Sequence, residues 1–145
     1  MPALTRRRSK DARAECWQIF YHDVQVGTIG TRAGVPVDVD QWGWSCGFYP
    51  GSEPSEYLSG TAATFDQART DFGAAWPAFL AKRTDADFTA FRRHRDFAAW
   101  KYAMWDAGCR MPTQVPELRS RCFCGAEIGI ACEEHVYARH MEITA

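Results

Sequence analysis

Nothing in this 145-residue chain approaches the run of about 20 apolar residues that a membrane helix requires. The basic N-terminus is not followed by an apolar stretch, so it does not read as a secretory signal, and a cytoplasmic location is expected. There is no glycine-rich phosphate loop, no nucleophile elbow and no His-Glu-x-x-His pair. His22-Asp23 lies where both residues serve turn chemistry. Cys46 is the one conceivable nucleophile, and its strand phase points into a core. These absences favour a non-enzymatic protein. Internal repeats and low-complexity tracts are also missing.

Neither sign of charge is in excess, with 17 Lys and Arg against 18 Asp and Glu. The distribution says more than the sum. Residues 1–14 hold five basic groups and one acidic group, whereas residues 15–63 hold one basic and six acidic. A sheet built from that acidic segment is poorly suited to lie on phosphates.

What the chain does have is aromatic side chains, 14% of the total, with six tryptophans. They centre on Gln41 to Gly51, Gln-Trp-Gly-Trp-Ser-Cys-Gly-Phe-Tyr-Pro-Gly. Strand side chains alternate, so Trp42, Trp44, Cys46 and Phe48 share one face and Gly43, Ser45 and Gly47 the other. Each of the large rings can bury about 150–250 Å², enough to anchor a core. Before this strand, Cys16 to Tyr21 is aromatic and β-branched, and Val24 to Arg32 reads as its hairpin partner across His22-Asp23. Glu56 to Thr61 can return as a fourth strand.

The period then changes. Phe65, Ala68, Phe72, Ala75, Trp76, Phe79 and Leu80 recur at three and four, which marks an amphipathic helix. Thr64 and Gln67 have the form of a capping box, and Pro77 predicts a bend. A second helix starts after Thr84, carries Phe88, Phe91, Ala98, Tyr102 and Trp105 as its apolar stripe, and stops at Gly108. These elements predict an α+β fold. An antiparallel meander of three or four strands is packed on one face by two helices, and a short Cys/His-rich C-terminal appendage follows. The expected organisation is a disordered basic arm over 1–14, the α+β domain over 15–111, a linker over 112–121 and the appendage over 122–145.

The appendage carries the sharpest chemical signal. Cys122, Cys124, Cys132, His135 and His140 offer five soft donors within 19 residues, and a tetrahedral zinc needs four. Gly125 after Cys124 suits a knuckle that turns backbone amides toward thiolates. The expected ligands are Cys122, Cys124, His135 and His140, with Cys132 the alternative. Cys-x-Cys is one residue shorter than the usual opening pair, and the other reading is a flexible tail with free thiols. So short a segment has no core of its own, and zinc is its natural staple.

Two basic groups point to a second function. Arg6, Arg7 and Arg8 lie in the N-terminal arm, and Arg92, Arg93 and Arg95 form a band on the second helix. With the tail, they compose a candidate nucleic-acid surface. The competing reading of the helix band is a solvated face paired with Asp96. Tail cysteines acting as a thiol or redox sensor are a further alternative. The preferred expectation is a small interaction module whose partner is another protein.

Gly27 to Pro36, Asp40 to Gly51, Gly60 to Arg69 and Trp100 to Asp106 resemble a family of small uncharacterised proteins of rhizobial-type bacteria, over about residues 16–112. The resemblance implies a bacterial host and no particular activity. In layout alone, a meander followed by a helix is similar to the sheet-reading DNA-binding domains of phage-type integrases.

Overall fold

A computed structural model describes residues 3–10 and 13–141. The chain divides into two compact units, residues 1–91 and 92–145. The fold is α+β, as the sequence predicts at that level, with more strands and helices than expected.

In the first unit, five antiparallel strands run in sequence order: β1 (Leu4–Arg8), β2 (Cys16–Tyr21), β3 (Val24–Thr31), β4 (Trp42–Cys46) and β5 (Leu58–Ala62). The expected disordered arm is corrected by β1, which pairs with β2 along its whole length, from Leu4 opposite Tyr21 to Arg8 opposite Trp17. An edge strand needs little apolar content, since one side of it faces solvent. Residues 1, 2, 11 and 12 of that arm lie outside the described residues. His22 and Asp23 form the two-residue turn between β2 and β3. Val26 is an extra residue in β3 with no partner on β2, so the register shifts and both Val26 and Ile29 are buried.

Helix α1 (Phe65–Leu80) covers the aromatic face of this sheet. Phe65 meets Trp42, Phe72 meets Trp44 and Phe79 meets Phe48, with ring centroids 5.4, 6.1 and 5.9 Å apart. Edge-on aromatic pairs at these spacings contribute beyond the area they bury. The Thr64 hydroxyl accepts the Gln67 amide at 3.2 Å, but the Gln67 side chain bonds Asp71 instead of closing the capping box. The helix continues through Pro77.

Helix α2 (Asp85–Asp106) supplies Phe88 and Phe91 to the first core. Beyond Phe91 the expected stripe fails, because Tyr102 and Trp105 are 73% and 77% exposed. The residues buried there are Asp96, Trp100 and Met104. Trp100 lies nine positions after Phe91, about two and a half turns, and is therefore out of phase with the earlier stripe. The helix closes at Gly108, whose positive φ lets the Cys109 amide reach the Met104 carbonyl and its own amide reach Trp105.

The rest of the second unit is a hairpin of β6 (Arg119–Arg121) and β7 (Glu127–Gly129), followed by α3 (Glu133–Arg139). Residues 112–121, where a linker is expected, hold a 3-10 turn at Pro112–Gln114 and strand β6. The core joins Trp100 and Met104 to Cys122, Ile128, Cys132 and Val136. No helix among the described residues is long and apolar enough to cross a membrane.

Candidate metal centre

Residues 122–126 connect the two short strands of the second unit. The Gly125 amide bonds the Cys122 carbonyl at 2.8 Å, and the Cys122 amide bonds the Ala126 carbonyl at 2.9 Å. This tight loop needs Gly125 in its left-handed conformation, at φ 92°. It turns the Cys122 and Cys124 sulfurs to one side. Helix α3 then presents His135 from its body and His140 from its C-cap, five positions on.

These four side chains come together, with their donor atoms all within 4.8 Å of one another. Cys122 Sγ lies 3.4 Å from His140 Nε2, and Cys124 Sγ lies 3.5 Å from His135 Nε2. The two Nε2 atoms are 3.1 Å apart. A tetrahedral ion with bonds of about 2.3 Å to sulfur and 2.0 Å to nitrogen has S···N edges near 3.5 Å and N···N edges near 3.3 Å. The three measured spacings match those edges. The group can hold a metal ion. Cys132, the alternative ligand, stays outside the cluster as a buried N-cap residue packed in the core.

Local electrostatics sort the thiols the same way. The Ala126 amide aimed at its sulfur holds the Cys124 thiol below its ordinary range, and Arg139 adds to this. Burial pushes Cys132 up, so it remains a thiol. Burial first, and then the neighbouring His135 and Arg139, lower His140 and keep its imidazole neutral and able to donate a lone pair. Cys122 and His140 are buried while Cys124 is exposed, so the cluster sits at the rim of the core.

Sequence reasoning missed Trp100. It is completely buried, and its indole Nε1–H donates to the Cys122 sulfur at 3.4 Å. An aromatic on a helix 22 positions before the cysteine carries no local signal of that contact. Phe123 also escaped notice. Its ring lies 4.9 Å from that of His140, tilted at 56° to it.

The arginines are placed on surfaces of their own units. In the first unit, the Arg6 guanidinium lies 5.1 Å from the Trp17 ring and 4.9 Å from Phe65, and Arg7 stands over Phe20. Arg8 is exposed at the end of β1. In the second unit, Arg93 stands over Tyr137, and Arg95 Nε donates to Asp96 Oδ1 at 3.1 Å. Arg92 is half-buried on the same helix. Asp96 is thus the Arg95 partner expected from the sequence, but it is fully buried instead of solvated. Cys46 is also fully buried, and its thiol is pushed up to about 12 by the loss of water around it. Comparison of the chain with protein-family models, with curated proteins and with solved structures finds no match.

Proposed function

We propose that Cys122, Cys124, His135 and His140 hold one structural zinc ion and that the chain is a non-enzymatic interaction module built on it. The observation that carries this reading is the meeting of four soft donors within 4.8 Å, three of whose spacings fit the edges of a zinc tetrahedron. Two thiolates and two imidazoles are the softness that zinc selects over magnesium or calcium. Four protein ligands leave no open position for a substrate, which favours a structural ion over a catalytic one.

A protein partner is supported by Tyr102 and Trp105, which stand exposed one turn apart on α2. Large amphipathic rings of this kind are enriched where proteins meet. Several of the arginines are already engaged with rings or with Asp96, which supports a protein partner over a phosphate backbone.

Native mass spectrometry of protein purified without chelator tests the metal. One zinc per chain is expected, lost in Cys124→Ser and in His135→Ala. Folded protein that carries no metal and does not take up added zinc would refute the site. A gel shift over a range of salt concentrations tests the partner class, where tight, salt-sensitive binding would favour nucleic acid.

A further inference from the structure

We propose that the first unit binds a small apolar carboxylate in the cavity between α1 and β1. The proposal is independent of the metal centre. Strand alternation puts Leu4 and Arg6 of β1 on the same side of the sheet as Ile19 of β2, with Arg6 directly opposite Ile19. An apolar side chain at position 6 would complete the layer beneath the helix. The arginine instead lays its guanidinium against the rings of Trp17 and Phe65, and the space over Ile19 stays open.

That space has a volume of about 170 Å³. Its floor is Ile19 and Ile29, its walls are Leu4 and Phe72, and its rim carries Arg6 and Arg69. The floor residues are 5% and 1% exposed, so an occupant would sit against dry aliphatic surface. No carboxylate lines the cavity, and Arg69 has no acidic partner among the described residues.

Arg69, with no acidic partner among the described residues, and beside it Arg6, whose guanidinium rests on the Trp17 and Phe65 rings, put positive charge on an apolar pocket and define the ligand. The planar fork of an arginine matches a carboxylate, and the nearby low-dielectric wall strengthens the pairing. The volume admits about five or six groups the size of a water molecule. The occupant is thus a carboxylate with a short aliphatic or single-ring tail, held head-out.

Methyl-resolved NMR of the full chain, titrated with hexanoate and benzoate and with hexanol and benzyl alcohol as uncharged counterparts, tests this. The expected result is saturable movement of the Ile19 and Ile29 methyl signals with the acids, and binding of the alcohols weaker by roughly tenfold or more. Arg69→Gln, exposed on α1, should keep the fold by circular dichroism and weaken the acids by a similar factor; Arg6→Gln provides a second variant. Methyl signals that do not move, acids and alcohols that bind alike, or acid binding unaffected by both substitutions would each overturn the proposal.

Discussion

An indole N–H can only donate, and Trp100 is buried completely, so its hydrogen must find an acceptor inside the second unit. It finds the Cys122 sulfur. A neutral thiol accepts weakly, whereas a metal-bound thiolate accepts well, so the contact gains its full value only with the ion in place. Trp100→Phe keeps most of the ring volume and removes the donor. Zinc affinity measured by chelator competition should fall about 10- to 100-fold, the usual effect of deleting a residue that supports a ligand. The sulfur-to-metal charge-transfer band of the cobalt-substituted protein should move as well. If affinity and band both stay at their wild-type values, Trp100 merely fills the core. Cys46 gives the opposite case. Burial holds its thiol near 12, so at neutral pH the nucleophilic thiolate is essentially absent. Alkylation of Cys46 should follow global unfolding of the first unit, as tracked by peptide mass mapping against circular dichroism. Modification of the native protein at the rate of a free thiol would contradict the burial described.

Elements are tied together in the first unit by Arg83, in the turn between α1 and α2. Its guanidinium donates to the Gly51 carbonyl at 3.0 Å, pairs with Glu56 and covers the Phe79 ring. Glu56 also accepts the Glu53 amide, and that bond followed by the Arg83 contact lowers its carboxyl below the usual range. Because the folded-state value lies below that of the unfolded chain, about 4.3, the contribution is complete above pH 4.3. It disappears as pH falls through the lower folded value. Denaturant midpoints should therefore drop more steeply below pH 4.3 in the wild type than in Glu56→Gln, and parallel curves would show that the pair adds nothing. Arg83→Ala should cost about 1–3 kcal/mol at neutral pH, since a bond to a charged donor and buried packing both go. Legibility also differs element by element. The β4 strand, α1 and the Gly108 stop were readable because alternation, three-four spacing and a left-handed cap are local signals. Strand β1 was not, since its position is set by pairing with β2 and its side chains are mostly arginines. The second half of α2 misled for a similar reason. One uninterrupted helix changes the face it buries, so extrapolating from Phe88 and Phe91 selected Tyr102 and Trp105 in place of Trp100 and Met104. The donor spacing around Cys122 and His140 was legible. The packing of Trp100 on that cluster depends on tertiary structure, which spacing does not encode.

At the scale of the whole molecule, two units of unequal self-sufficiency share one chain. The first has a five-stranded sheet and an aromatic core closed by α1. The second has a two-stranded sheet of three-residue strands, a seven-residue helix and a core in which two of the six fully packed residues are cysteines. A core of that size supplies little net stability after chain entropy is met. Zinc coordination in comparably small modules contributes about 10–16 kcal/mol of apparent binding energy at neutral pH, which is then folding energy. Removing the ion with a strong chelator should therefore unfold residues 92–141 and leave the sheet of the first unit intact. Hydrogen exchange read by mass spectrometry should show protection lost in β6, β7 and α3 and kept in β2, β3, β4 and α1. Adding zinc back should restore it. Acid should act in the same direction, since protons compete with the metal for its ligands. Uniform protection before and after chelation would mean that the Trp100–Val136 core holds itself together, and the ion would lose its structural role.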